Sequence, residues 1–188
     1  VLPPLGLAYL ASSLGKAGHE VNIIDAIALA LSKEEVNNRI KKFNPKVVGV
    51  TAMTPTILGA FEAAKLAKEN SIDTFVVISS MGADVSSTVF YNKTKGEMER
   101  VVLKQQIKNT YILRPSLIGG NRDEFRFGEN IGKGFMSLLN PLLKGKLEKY
   151  KMIHPDKIAS AMQKLAESEI NQTIFSSDEI VEIANSRK

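Results

Sequence analysis

Short apolar runs without charge alternate along this chain with segments whose apolar residues recur at helical spacing. Val47–Val50 and Phe75–Ile78 are two such runs, and neither contains a charged residue. A strand that is apolar on both sides fits a parallel sheet whose two faces are covered by helices. The segments between the runs are long enough to supply the crossover helices that parallel strands need. The pattern therefore predicts an α/β fold: a three-layer, doubly wound parallel sheet of a Rossmann-like or flavodoxin-like type.

Local signals indicate where these elements begin and end. Gly18 follows a helical pattern as a left-handed stop, and Ser32 with Glu35 forms a capping box that opens the next helix. Thr54 can cap a third helix whose first turn holds Pro55. We further predict strands over 21–24, 110–113 and 173–175, and helices over 90–106, after Pro155 and after Ser176 or Ser177.

Composition excludes several classes of function. The 188 residues suit one domain, no apolar run approaches 18 residues, and the chain has no cysteine and only two histidines. We therefore expect a single domain over 1–188 in a reducing, cytoplasmic environment, with no membrane span and no metal site. The net charge of +5 comes from basic residues scattered along the chain, so we expect no nucleic-acid partner.

The first 70 residues carry motifs of a known family. The segments Pro3–Ala11, Ala17–Val21 and Asn44–Thr51 stand in the order PPLGLAYLA, AGHEV and NPKVVGVT. Together they resemble the cobalamin-binding domain of radical S-adenosylmethionine enzymes, over about residues 2–70. The resemblance implies that Thr51, Met53 and Thr54 lie beside the corrin ring. The alternative is that Thr54 and Pro55 only cap a helix.

Residues 74–188 carry a second set of motifs. A strand ending in Ser79 and Ser80 is followed by Tyr91 and Lys95 in a Tyr-x-x-x-Lys pattern, and a later strand ends in Arg114-Pro115. This part resembles the carboxyl-terminal half of an atypical short-chain dehydrogenase, similar to the NAD(P)-binding proteins related to the Tat-interacting oxidoreductase. The resemblance implies that Ser80, or less favourably Ser79, binds the substrate carbonyl, and that Lys95 also holds the nicotinamide ribose.

Tyr91 and Lys95 can be interpreted chemically without the resemblance. Residues four apart share one face of a helix, and an ammonium near a phenol favours the phenolate. A phenol normally titrates near pH 10, so proton transfer near neutrality requires such help. We therefore predict Ser80, Tyr91 and Lys95 as a vestigial catalytic set.

Neither part has a complete cofactor site. The dehydrogenase-like part lacks the glycine-rich turn that receives a pyrophosphate, and the cobalamin-like part lacks its first strand and a later Gly-Gly loop. We therefore interpret the chain as an engineered fold chimera, with fragments 1–70 and 74–188, no catalytic function and no cofactor. The alternatives are an NAD(P)-dependent short-chain-dehydrogenase-like oxidoreductase, with NADP as cofactor, and a cobalamin-binding module.

The missing first strand leaves the partners open. Upstream residues, a neighbouring chain or closure of the sheet could fill its place, so a homo-oligomer is one outcome. The helix start at Thr54–Thr56 could also bind a phosphate or sulfate weakly.

Overall fold

The computed structural model describes residues 5–119 and 145–186. Its helices are α1 (Leu5–Lys16), α2 (Lys33–Phe43), α3 (Ile57–Glu69), α4 (Phe90–Leu103), α5 (Pro155–Ala166) and α6 (Ser177–Asn185). Its strands are β1 (Val47–Thr51), β2 (Thr74–Ile78), β3 (Asn109–Arg114) and β4 (Ile174–Ser176). Two 3-10 turns cover Thr54–Thr56 and Gly145–Tyr150.

The four strands form one parallel sheet in the order β1-β2-β3-β4. Val47 pairs with Thr74 at one end of the first ladder, and Thr51 pairs with Ile78 at the other. Ile78 is in turn opposite Leu113 of β3. Parallel pairing brings all the carboxyl ends to one edge of the sheet, which we call the carboxyl edge.

Helices cover both faces of the sheet, and each face has its own apolar core. Phe75 and Val77 of β2 pack in a first core with residues of α3 and α4, whereas Val76 between them packs in a second core with residues of α5 and α6. Successive residues of a strand point to opposite faces, so an uncharged β2 is what a sheet buried on both sides requires. The predicted three-layer Rossmann-like fold is confirmed.

Predicted caps hold the helix ends. The Ser32 hydroxyl accepts from the Glu35 N–H at 3.2 Å, and the Glu35 carboxylate accepts from the Ser32 N–H at 2.7 Å. These hydrogen bonds from Ser32 lower the pKa of the Glu35 carboxyl group. Gly18 adopts a φ of 90° directly beyond α1, which is the left-handed stop that the sequence indicates.

The predicted strand over 21–24 is wrong. Residues 19–25 form no regular secondary structure, and the side chains of Val21 and Ile23 are exposed, although Ile24 packs against the first core. A strand requires a hydrogen-bonded neighbour, and within 5–119 and 145–186 only β2 pairs with β1. The local pattern is therefore strand-like, but the described residues provide no partner strand beside it.

Smaller differences concern element ends. The helix predicted over 90–106 ends at Leu103, and Gln106 adopts a φ of 51° in the turn that follows. Thr54 begins a 3-10 turn rather than capping α3 directly. Of the loop region predicted over the carboxyl edge, residues 120–144 lie outside the described part of the chain.

None of the helices within 5–119 and 145–186 has the length and apolar character needed to cross a membrane.

Candidate functional site

The carboxyl edge places Ala52, Ser79 and Arg114 side by side. Thr51, Ile78 and Leu113 are the last paired residues of β1, β2 and β3 along these two ladders. Ala52, Ser79 and Arg114 are the residues that directly follow them. The pairing of β2 with β3 continues past the strand end, because the Ser79 N–H donates to the Leu113 carbonyl at 2.8 Å. Strand alternation therefore directs these three side chains to the face that α4 covers.

Lys95 reaches this edge from α4. Its side chain is buried, with the residue only 3% exposed, and its Nζ donates to the Ala52 carbonyl oxygen at 2.6 Å. Burial lowers the pKa of the Lys95 ammonium, and the nearby Glu99 carboxylate partly opposes this shift. The ammonium that would hold a ribose in a dehydrogenase is thus bonded to the backbone that follows β1.

Tyr91 lies one helical turn before Lys95, as the spacing predicts. The Lys95 Nζ is 5.9 Å from the centroid of the Tyr91 ring. Tyr91 is 46% exposed, so its phenol can meet a ligand at the carboxyl edge while Lys95 stays buried behind it. The structure therefore brings these two predicted residues together on one face of α4.

The buried Glu99 and the half-buried Arg114 form an ion pair beside Lys95. The Arg114 guanidinium donates from Nε to Glu99 Oε1 at 2.9 Å and from its terminal nitrogen to Oε2. This two-point contact raises the pKa of Arg114. Sequence reasoning missed the pair, although Glu99 stands four residues after Lys95 and Arg114 belongs to the Arg-Pro motif.

Two buried serine hydroxyls at the end of β2 lack a hydrogen-bond partner in the part of the chain that the structure describes. Ser79 and Ser80 are 4% and 8% exposed, and within the described residues neither Oγ atom makes a hydrogen bond. A buried unpaired hydroxyl costs about 1–3 kcal/mol, so such groups are common where a ligand or water completes a site. Ile78 packs against the second core, and successive side chains of an extended strand point to opposite faces. Ser79 therefore points to the face that carries Lys95, and Ser80 points to the opposite face.

The segment after β1 carries the residues predicted to contact a corrin. Met53 is 70% exposed, Thr51 is exposed and Thr54 is half-buried. The Met53 N–H donates to Thr56 Oγ1 at 3.1 Å, and the Thr56 N–H donates to the Met53 carbonyl at 2.9 Å. Two backbone donors at this turn are thus already satisfied within it.

Large apolar side chains are exposed around this segment. Met53 lies between β1 and the 3-10 turn, Leu58 lies in the first turn of α3, and Phe90 begins α4. Their exposed fractions are 70%, 69% and 74%. We call these three side chains the edge patch. The 3-10 turn between Met53 and Leu58 contacts α4, so the patch lies on neighbouring elements at the carboxyl edge.

The loop after β2 packs tightly on α4 at Gly96. A Cβ atom placed on Gly96 would lie 2.4 Å from the backbone of both Asp84 and Val85. Gly82 in the same loop adopts a φ of 81°, a left-handed conformation that glycine accepts without strain. Both glycines therefore fix how the loop crosses the first turns of α4, where Tyr91 and Lys95 stand.

The two histidines take local roles. His19 contacts the Glu167 carboxylate at 2.8 Å, and His154 caps α5 and lies 3.1 Å from Asp156. Across the described ranges, no group of three or more histidine, aspartate and glutamate side chains could hold a metal ion.

Sequence comparisons match limited stretches of the chain. The B12 binding domain model matches residues 1–92. An uncharacterized methyltransferase of Pyrococcus horikoshii is 46% identical over 76 residues, which are 40% of this chain and 16% of that protein. Protein FMP52, mitochondrial, is 44% identical over 64 residues in Debaryomyces hansenii (34% of this chain, 28% of that protein). The protein of the same name in Emericella nidulans is 42% identical over 78 residues, which are 42% of this chain and 34% of that protein.

Solved structures share the fold over nearly the whole described architecture. MoeE5 in complex with UDP-glucose and NAD has a TM-score of 0.58 at 15% identity, and the match covers 94% of this chain and 76% of the MoeE5 chain. The UDP-N-acetylglucosamine 4-epimerase from Bacillus cereus has a TM-score of 0.56 at 14% identity, with coverages of 95% and 77%. At such identities the likeness establishes the Rossmann-like fold alone.

These matches correct the interpretation of origin and function. The prediction of an engineered chimera without function is wrong, because natural archaeal and fungal proteins match the chain. The cytoplasmic location remains a prediction, since the names of the fungal relatives include the word mitochondrial. The chain is thus a Rossmann-like α/β protein whose residues 1–92 match the B12 binding domain model and whose fold is shared with MoeE5 and with a UDP-N-acetylglucosamine 4-epimerase, which is consistent with a protein of two parts.

Proposed function

We propose that this chain is a corrinoid-binding module and that its edge patch lies against one face of the corrin ring. The observation that carries the proposal is the uncharged, apolar surface of Met53, Leu58 and Phe90 at the carboxyl edge. In open α/β sheets, ligands bind outside the carboxyl ends of the strands. The B12 binding domain match over residues 1–92 includes all three patch residues.

The chemistry of the edge suits a corrin better than a dinucleotide. No lysine or arginine occurs from Val47 to Ala64, and no glycine between Gly49 and Gly59. A pyrophosphate needs backbone or basic donors at this place, whereas the face of a corrin ring offers a broad apolar surface. Exposed apolar patches at such edges are typical of ligand sites.

Individual residues take different parts in this proposal. Met53 contributes a flexible, polarisable side chain that can adapt to a flat ring. The exposed Thr51 and half-buried Thr54 would hydrogen-bond through their hydroxyls to polar groups at the ring periphery. A bound cobalamin would supply a cobalt–carbon bond as its chemistry, and the residues named here would orient the ring and exclude water from one face.

Titration with hydroxocobalamin, followed by calorimetry and by visible absorption, tests the proposal. We expect saturable binding, and we expect Met53→Glu to weaken it by about tenfold or more, because the variant places a charge against an apolar surface. Ile170→Glu is the matched control, since Ile170 is an exposed apolar side chain in the segment before β4. Absence of binding, or equal weakening by both variants, would refute the proposal.

A second candidate function is supported by Ser79, Ser80, Tyr91 and Lys95. A serine hydroxyl without a partner among the described residues, on the face that α4 covers, and a Tyr-Lys pair on α4 suit proton transfer to a substrate carbonyl, as in an NAD(P)-dependent oxidoreductase. The residues after β1 do not fit the pyrophosphate of such a cofactor, and Lys95 is bonded to Ala52. We therefore expect no useful affinity for NADPH or NADH. Micromolar binding in a calorimetric titration, lost on Lys95→Ala, would instead place this candidate first.

A further inference from the structure

Lys95, Glu99 and Arg114 form a line of charges under the carboxyl edge, which we call the charged row. Lys95 and Glu99 are four residues apart and share one face of α4. Arg114 ends β3 and reaches Glu99 from the sheet. Both α4 residues are almost fully buried, so their charges interact with little screening by water.

We infer that Arg114 is a remote positioning residue for Lys95: by binding Glu99 at two points it limits how much negative charge faces the Lys95 amine. Without Arg114, Glu99 would be the natural counterion of Lys95. With Arg114 in place, both carboxylate oxygens of Glu99 are occupied by the guanidinium. The Lys95 amine then bonds to a neutral carbonyl, that of Ala52.

Within residues 5–119 and 145–186, the other elements around Lys95 supply no further counterion. On α4, Tyr91 presents its ring. The segment from Thr51 to Leu58 is uncharged, and the residues that α3 buries on this side, such as Ala60 and Ala64, are apolar. From the loop after β2, Asp84 interacts with Arg114 and bonds to Ser86.

Burial lowers the pKa of Lys95, and Glu99 opposes that shift only in part. The row holds two cations and one carboxylate, and Asp84 offsets part of the charge of the half-buried Arg114. Arginine keeps its proton at any ordinary pH, so the lysine is the group that titrates. This agrees with the lowered pKa of Lys95, for which burial is the main cause.

The consequence is an amine whose proton can be exchanged at the foot of the carboxyl edge. A neutral or easily deprotonated Lys95 can accept a proton from Tyr91 or from a ligand, and a permanently charged one cannot. The inference concerns the unliganded chain, so it does not depend on either function proposed above.

Nuclear magnetic resonance of the lysine side-chain amines in the full chain tests the inference. The Lys95 signal is assigned by its loss in Lys95→Met and is followed against pH without any ligand. We expect Arg114→Met to raise the pKa of Lys95, since Glu99 is then free to face it, and Glu99→Gln to lower it. Arg114→Lys, which keeps a cation at the site, should restore part of the wild-type value.

Glu97→Gln is the matched control. Glu97 pairs with Arg100 on the exposed side of the same helix, so its loss should leave the Lys95 titration unchanged. The inference is overturned if Arg114→Met and Glu99→Gln change the pKa of Lys95 no more than this control does. It is also overturned if both variants change that pKa in the same direction. Should Arg114→Met fail to fold, Arg114→Gln, which also removes the positive charge beside Glu99, takes its place, and its effect on the pKa of Lys95 is compared with that of Glu97→Gln. Failure to bind cobalamin or NADPH would leave this result untouched.

Discussion

Gly96 provides a sharp test of how the loop after β2 is held on α4. The perturbation is Gly96→Ala, which adds one methyl group in the interior of a helix. That Cβ would lie 2.4 Å from the Asp84 carbonyl carbon and from the Val85 nitrogen, and 2.8 Å from the Asp84 nitrogen. All three atoms belong to the backbone, so no side-chain rotation can relieve the clash, and the loop or the helix must move.

Two opposing effects set the magnitude. Alanine in a helix interior is favoured over glycine by about 1 kcal/mol. Overpacking against a fixed backbone costs about 1–3 kcal/mol and at times more, and displacement of the loop also breaks the Asp84 N–H bond to the Asn92 carbonyl. We expect the clash to outweigh the gain and Gly96→Ala to lower the free energy of unfolding by about 1–2 kcal/mol, a loss of roughly 2–8 °C in melting temperature for a chain of this size.

Gly59→Ala in α3 is the matched control. Nothing lies within 4 Å of a Cβ placed on Gly59. The same substitution should therefore stabilise the protein by about 0.5–1 kcal/mol, because only the helix propensity changes. Urea denaturation followed by far-UV circular dichroism measures both variants. A Gly96→Ala protein as stable as the wild type, or two variants that shift in the same direction, would refute the packing argument.

Three further predictions follow from the fold and the site. Tyr111→Phe should cost about 1–2 kcal/mol in chemical denaturation, because its buried hydroxyl donates to the Ser168 carbonyl and accepts from the Ile170 N–H; an unchanged midpoint would contradict this. The pKa of Lys95 is lower in the folded protein than its ordinary value of 10.5. At pH values between the two, the folded protein therefore binds fewer protons than the unfolded chain. The free energy of unfolding of the wild type, relative to Lys95→Met, should accordingly rise with pH across that window, and a falling difference would reverse the sign of the argument. Finally, the fragments over 1–70 and 74–188 should unfold together, because β1 and β2 belong to one sheet; two separate thermal transitions by near- and far-UV circular dichroism would show two domains.

The layered fold could be predicted because its cause is local. Phe75, Val76 and Val77 alternate between the two cores, and only a strand covered on both faces requires every one of these positions to be apolar. The capping box of Ser32 and Glu35 is likewise formed by residues three apart, so the sequence displays both partners. Such signals do not depend on what the rest of the chain does.

The strand expected over 21–24 fails for the opposite reason. Alternating apolar residues describe a segment that could pair, but hydrogen bonding to a neighbour is decided by the whole sheet. Among the described residues, β1 has no second neighbour, so Val21 and Ile23 stay exposed. No local pattern carries that information.

The site was predicted in part for the same reasons. The spacing of Tyr91 and Lys95 places them on one face of α4 whatever surrounds the helix. The acceptor of Lys95 could not be predicted, because a backbone carbonyl has no signature in the sequence and Ala52 is 43 positions away. Arg114 and Glu99 were each visible, but their pairing depends on how α4 crosses the end of β3.

The bond between Lys95 and Ala52 joins the two parts of the chain at one peptide unit. Ala52 lies in the B12-binding match and follows β1, whereas Lys95 lies beyond residue 92 on α4. Met53, whose side chain belongs to the edge patch, is the next residue after Ala52. A ligand that moves Met53 therefore acts on the peptide whose carbonyl holds the Lys95 amine. Arg114 holds Glu99, and the described residues offer no other anion beside Lys95, so an amine released from Ala52 would turn to water, to Tyr91 or to the ligand itself. If a ligand binds at the edge patch as proposed, we therefore expect its binding to be coupled to proton exchange at Lys95.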